Sequence, residues 1–175
     1  MKQLFVLIMV FIALDFFGQE KVIQSNIKND TAYYNEGVYK NESKKYEEAI
    51  KAYNKAIDLN PTIAIYYLNR GISRFHLTKY KKAIKDFDKA IELDTKNATA
   101  HCYKATAEYE LKNYKEAIEE FSTSIELNPS YTEAFHNRGG CRYIMGDRQG
   151  ACSDWQRSSD LGDMNAEDLL NRNCK

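Results

Sequence analysis

Apolar side chains recur through most of the chain with the spacing of an amphipathic helix. Between residues 46 and 57 they stand three or four positions apart, at Tyr46, Ala49, Ile50, Tyr53, Ala56 and Ile57. Positions with this spacing lie on one face of an α-helix. The segment therefore predicts a helix with a single apolar stripe, and another helix has to cover that stripe.

The pattern returns every 34 residues. Columns of small residues and of rings keep this spacing, at Gly37, Gly71, Ala105 and Gly139, at Ala49, Ala83, Ala117 and Ala151, and at Tyr53, Phe87, Phe121 and Trp155. A period of this length indicates stacked helix-turn-helix units, each covered by its neighbours. It predicts first helices over 31–43, 64–77, 98–111 and 132–145, and second helices over 46–59, 80–93, 114–127 and 148–161.

These columns resemble the tetratricopeptide repeat family, whose repeat has a small residue in the first helix, then tyrosine, alanine, an aromatic ring, alanine and proline. The resemblance implies an all-α solenoid, a right-handed superhelix of helix-turn-helix units with a groove lined mainly by first helices. It covers residues 30–163 and predicts repeats at 30–63, 64–97, 98–131 and 132–163. Residues 164–175 are predicted to form a capping helix, because the last repeat has no further neighbour.

The first residues follow a different pattern. An apolar run from Leu4 to Phe17 comes after Lys2, which is typical of an export signal. The run is shorter than the roughly twenty residues that cross a bilayer. We expect residues 1–18 to be a cleaved signal peptide and 19–29 a flexible lead, so that the mature protein is periplasmic or extracellular, as in exported bacterial members of the family. An uncleaved signal would leave it tethered to the membrane.

The charge balance and the lack of chemical motifs narrow the possible functions. Lysine plus arginine equals aspartate plus glutamate, at 25 each, so the chain has no general attraction for nucleic acid. The sequence shows neither a phosphate-binding glycine loop nor a nucleophile with its base. His101, Cys102, His136 and Cys141 lack the short spacing of metal ligands. We expect no catalytic activity, cofactor or metal.

The family's groove positions can be transferred to this sequence residue by residue. They fall on Tyr34, Asn35, Val38, Asn69, Ile72, Phe75, Tyr103, Thr106, Tyr109, His136, Asn137 and Tyr143. Asparagine pairs with a peptide backbone, and tyrosine supplies contact area with a polar tip; any of these residues could instead pack between helices. Family members that clamp acidic chaperone tails use lysines, asparagines and an arginine at positions that here hold Tyr34, Val38, Asn69, Thr99 and Tyr103. Only the asparagine is kept and the cations are missing, so this sequence departs from that clamp.

Charged and sulfur-containing residues suggest structural roles. Arginines and aspartates recur in alternate repeats and predict ion pairs between helices, with recognition of acidic ligand groups as the alternative; they are Arg70, Arg74 and Asp86, and Arg138, Arg142 and Asp154. Cys152 and Cys174 form the best candidate disulfide, because an exported protein meets an oxidising compartment. Cys102 and Cys141 lie on neighbouring first helices, but their positions within the repeat differ by about five residues. This offset places their Cα atoms too far apart for a relaxed disulfide, so we expect both cysteines to be free and buried.

Two functional hypotheses remain open. The first is a non-catalytic adaptor that binds a peptide or helix of a partner protein in its groove, outside the cytoplasm. The second is a sensor or carrier that binds a small ligand or an envelope polymer.

Overall fold

The computed structural model describes residues 29–174, and every regular element in that range is an α-helix. The helices are α1 (29–42), α2 (Tyr46–Leu59), α3 (Ala64–His76), α4 (Tyr80–Leu93), α5 (Ala98–Glu110), α6 (Tyr114–Leu127), α7 (Thr132–Ile144), α8 (Arg148–Asp160) and α9 (Met164–Asn173). The all-α fold is confirmed, and from α2 to α8 every predicted first residue is correct. The predicted signal peptide lies outside the described residues.

One boundary prediction was wrong at the N-terminal end. Residue 29, the last residue assigned to a flexible lead, is already helical. Asp30 is buried at 2% exposure, and its carboxylate accepts a hydrogen bond from the Thr31 backbone amide. The rest of the predicted lead lies outside the described residues.

Contacts divide the chain into two compact units, and the boundary along the sequence falls between Thr62 and Ile63. The described part of the first unit is the hairpin of α1 and α2. Gly37 on α1 lies directly against the ring of Tyr53, and Lys40 pairs with Glu48 across the hairpin at 2.6 Å.

The second unit contains α3 to α9. Its helices form the hairpins α3–α4, α5–α6 and α7–α8, and each second helix also packs on the helix that follows it. The first helices α3, α5 and α7 contact one another in order, and α9 packs on α8, where a capping helix was predicted. The core consists of small residues beside rings, such as Ala83 with Phe87 and Ala151 with Trp155, all at most 2% exposed.

The turn inside each hairpin has a left-handed residue at the same point of the repeat. Lys44, Thr78 and Lys112 have φ of 58°, 56° and 66°, and Gly146 has φ of 88°. This conformation ends a helix and satisfies its last carbonyls. Only one of the four positions is glycine, the residue that adopts it without steric cost.

None of the helices within residues 29–174 combines the length and the apolar character needed to cross a membrane.

Candidate functional site on the first helices of the second unit

Ion pairs with buried aspartates fix the first helices to the second helices in two of the repeats. One aspartate of the second helix accepts hydrogen bonds from two arginines of the first helix. The distances are 2.7 Å for Arg70–Asp86, 2.6 Å for Arg74–Asp86, 2.7 Å for Arg138–Asp154 and 2.7 Å for Arg142–Asp154. Asp86 and Asp154 are 2% and 3% exposed. The predicted ion pairing between helices is therefore confirmed.

The repeat between these two uses a different set of charges. Glu120 on α6 binds Lys104 at 2.8 Å and the Nδ1 of His101 at 2.7 Å, both on α5. Burial raises the pKa of Glu120, but hydrogen bonds from Lys104 and His101 outweigh it and lower the pKa overall. Within residues 29–174, no three histidine, cysteine or acidic side chains come close enough together to hold a metal ion.

Two of the predicted groove residues also hold neighbouring repeats together. The ring of Phe75 lies 5.3 Å from Tyr80 and 6.3 Å from Tyr103, and Tyr103 lies 5.9 Å from Phe87. Tyr103 thus packs against both helices of the preceding hairpin. Removing its ring would disturb packing as well as any bound partner.

Three of the predicted groove residues, Tyr34, Asn35 and Val38, lie in the first unit. Tyr34 is half-buried, with its ring 6.0 Å from that of Tyr53. Asn35 is exposed and Val38 is half-buried.

Three open hollows lie on the second unit. The terminal hollow, about 490 Å³, is lined by Asn128, Ser130, Tyr131, Thr132, Glu133, His136, Asn137, Asp163 and Asn165. The aromatic hollow, about 300 Å³, is lined by Tyr109, His136, Asn137, Gly140, Tyr143, Ile144, Trp155, Leu169 and Asn173. The middle hollow, about 180 Å³, is lined by Cys102, Tyr103, Thr106, Tyr131, Glu133 and Asn137.

Half of the predicted groove residues meet at these hollows, namely Tyr103, Thr106, Tyr109, His136, Asn137 and Tyr143. Asn69, Ile72 and Phe75 line none of the three. Asn137 lines all of them, is half-buried, and its side-chain amide forms no hydrogen bond with the described part of the chain. A carboxamide in this state offers two donors and one acceptor to a ligand.

A hydrogen-bond network closes one side of the terminal hollow. Asp163 accepts hydrogen bonds from His136 Nδ1 at 2.6 Å, Ser158 Oγ at 2.9 Å and the Asn165 backbone amide at 2.9 Å. Burial raises the pKa of Asp163, but these hydrogen bonds outweigh it and lower the pKa overall. The network holds the start of α9 against α7 and fixes the His136 ring.

Several lining residues were not singled out from the sequence. Tyr131 and Glu133 stand at the start of α7, while Asp163, Asn165, Leu169 and Asn173 come from α9 and the turn before it. The family's groove positions lie in the middle of first helices, so they omit helix ends and the last helix. The four-residue step from Leu169 to Asn173, which places both on one face of α9, was the available signal.

The four cysteines fall into two pairs with different environments. The sulfurs of Cys152 and Cys174 are bonded at 1.99 Å, with Cα atoms 5.8 Å apart, and this bond ties the end of α9 to α8. Cys102 and Cys141 are free and buried. Burial raises the pKa of the Cys102 thiol to about 12 and that of Cys141 to about 11. Both thiols stay protonated, and so weakly nucleophilic, at neutral pH.

Solved structures with known helical repeats resemble this chain. The TPR domain of Arabidopsis OM64 is 29% identical, with a TM-score of 0.67 over 68% of this chain and 98% of that domain. The second TPR domain of human RPAP3, solved with the HSP70 peptide SGPTIEEVD, is 26% identical, with a TM-score of 0.65 over 67% of this chain and 98% of that one. MamA, 22% identical, shares the fold with a TM-score of 0.74 over 85% and 86%.

Family models give the same assignment. No curated protein matches the sequence. A TPR repeat model matches residues 40–77 and 105–146, and a tetratricopeptide repeat model matches residues 64–97. Together they match most of residues 30–163, where the 34-residue period occurs, and they agree with the helix hairpins of the structure. The chain therefore belongs to the tetratricopeptide repeat family.

Proposed function

We propose that this chain is a non-catalytic adaptor of four repeats and a C-terminal cap that binds an extended peptide segment of a partner protein. The segment lies over the hollows of the second unit. Asn137 pairs with the peptide backbone, while Tyr103, Tyr109 and Tyr143 supply contact area for side chains.

The side-chain amide of Asn137, which forms no hydrogen bond with the described residues, is the main observation that supports this proposal. Its amide stands without a hydrogen bond, and Asn137 lines all three hollows, whereas Arg138, the next residue of α7, is already paired with Asp154. A peptide backbone presents the donors and acceptors that such an amide lacks. Because ion pairs and rings hold the first helices rigidly, binding costs little ordering of the protein. The RPAP3 domain, of the same fold, was solved with a bound peptide.

We propose a location outside the cytoplasm. The apolar run from Leu4 to Phe17 after Lys2 supports export. The Cys152–Cys174 bond supports it as well, since such bonds persist in oxidising compartments. The mature chain starts near residue 19 and is periplasmic or extracellular.

A second candidate is binding of a small ligand or an envelope polymer. The terminal hollow, at about 490 Å³, lies in the range of small-molecule sites, about 300–1,000 Å³. A pure ligand of this kind would raise the melting temperature by mass action.

Site-specific photocrosslinking in cells tests the adaptor proposal. A photoreactive residue replaces Ile144, which is 48% exposed and lines the aromatic hollow. The matched control replaces Glu119, which is exposed on the second helix α6 and lines none of the three hollows. We expect a discrete protein adduct from position 144 alone. Equal adducts from both positions, or none from either, would contradict binding at this face; absence of adducts with stabilisation by a pure ligand would favour the second candidate.

A further inference from the structure

We propose that the middle hollow receives a lysine or arginine side chain of the partner, so that this chain recognises basic rather than acidic segments. The inference rests on the proposed peptide binding and names the chemistry of the bound segment.

The carboxylate of Glu133 is the first reason. Glu133 is exposed, lines both the middle and the terminal hollow, and has no ion-pair partner within residues 29–174. It occupies the first turn of α7. The negative charge of Glu133 acts on Cys102, which lines the same hollow. Burial is the main cause that raises the pKa of the Cys102 thiol, and the charge of Glu133 raises this pKa as well. A cation placed here would gain an uncommitted negative partner.

The other polar groups of the middle hollow can accept hydrogen bonds from a cation. The Thr106 hydroxyl donates its proton to the Cys102 carbonyl at 2.9 Å, which leaves its oxygen lone pairs as acceptors. Asn137 lines the same hollow, and its side-chain amide, which includes an acceptor oxygen, has no hydrogen-bond partner in the described residues. Lysine and arginine carry only donors and need such acceptors.

Aromatic rings border the same space. Tyr103 and Tyr131 line the middle hollow beside Glu133. A ring face attracts an ammonium or guanidinium group that approaches within about 6 Å of its centre. A hollow lined by a carboxylate and two tyrosines therefore suits the charged head and the aliphatic stem of a basic side chain together.

An acidic segment would find no free cation among the residues that line the three hollows. Among the residues that line the three hollows there is no lysine or arginine, and His136 is held by Asp163. The nearby cations Lys104, Arg138 and Arg142 already bind carboxylates. Recognition of a carboxylate needs a free cation, and an acidic side chain beside Glu133 would also be repelled.

Selection of peptides from an unbiased library of displayed linear peptides tests the inference. The purified chain and its Glu133→Gln variant serve as separate baits. Glu116→Gln is the matched control, because Glu116 is exposed in the first turn of α6 and lines none of the three hollows. We expect peptides enriched in one lysine or arginine position from the wild type and from Glu116→Gln, with the enrichment lost for Glu133→Gln.

Dissociation constants of a selected peptide then test whether its basic side chain contacts Glu133. For one selected peptide, Glu133→Gln should raise Kd about five-fold, the effect of about 1 kcal/mol for an exposed ion pair. Replacing the peptide's arginine with citrulline should cost the same factor, and the two changes together little more than either alone. Selected peptides that lack a basic position, or equal weakening by Glu116→Gln, would overturn this inference and leave peptide binding intact. Failure to select any peptide would overturn both proposals.

Discussion

Replacing Gly71 with alanine tests how closely the helices of a repeat approach. A Cβ at Gly71 would lie 2.5 Å from Phe87 Cε1 and 2.8 Å from Cδ1. Non-bonded carbons rest at about 3.5–4.0 Å. Phe87 is fully buried and cannot turn away. Gly140, in the interior of α7, has no atom within 4 Å of such a Cβ and provides the matched control.

The two substitutions share one favourable effect and differ in one unfavourable effect. Alanine in place of glycine stabilises a helix interior by about 0.5–1 kcal/mol. One additional methyl group in a filled core costs about 1–3 kcal/mol. Gly140→Ala should therefore stabilise the protein slightly. Gly71→Ala should be less stable than Gly140→Ala by about 1–3 kcal/mol, because the shared helical effect cancels in the comparison.

Urea unfolding followed by far-ultraviolet circular dichroism measures the difference. Phe87→Leu in the Gly71→Ala background provides a rescue, since it removes the ring atoms that the new methyl group meets. The double variant should recover part of the loss, as a favourable coupling in a double-mutant cycle. Equal stability of Gly71→Ala and Gly140→Ala would refute the close approach of α3 and α4.

Three further predictions concern charge and sulfur. Asp86→Ala should cost about 3 kcal/mol in urea unfolding, because it removes the buried carboxylate that Arg70 and Arg74 bind. Glu92→Ala in an exposed pair should cost less than about 1 kcal/mol, and equal costs would contradict the role of the buried Asp86. Reduction of Cys152–Cys174 should destabilise by about 2–4 kcal/mol, and thiol titration in denaturant without reductant should find only the two free cysteines. The folded protein lowers the pKa of Asp163, so the ionised carboxylate stabilises the fold above the unfolded pKa near 3.9, and this stabilisation is lost as pH falls through the folded pKa. The melting temperature of the wild type should therefore exceed that of Asp163→Asn by less in acid than at neutral pH. A difference that does not change with pH would contradict this role of Asp163.

The helices could be predicted because their determinants recur at a fixed spacing. Phe87 and Gly71 each stand in a column of similar residues, so one pattern predicts several hairpins. The predicted ends of the first helices were one residue too long, at 43, 77, 111 and 145. Each helix stops before a left-handed residue, and at Thr78 and Lys112 that residue is not the glycine that would mark it in a sequence.

The candidate site was predictable only where it follows the repeat. Asn137 and Tyr143 stand at family groove positions and do line the hollows. Glu133 contributes from a helix start, and its importance depends on a hollow that α5 and α7 form together. Asp163 replaces the proline found in other repeats, but its contact with His136 requires the arrangement of α7 and α9. Such contacts between unlike elements leave no period in the sequence.

Calorimetric titration with the partner segment found by crosslinking is the most direct test of the central claim, that the first helices of the second unit bind a peptide around Asn137. Asn137→Ala removes the unpaired amide, and Asn113→Ala removes an exposed amide that hydrogen-bonds Glu108 between α5 and α6. We expect Asn137→Ala to raise Kd about five-fold or more, from the loss of about 1 kcal/mol per hydrogen bond, and Asn113→Ala to leave Kd unchanged. An unchanged Kd for a folded Asn137→Ala variant would contradict the central claim.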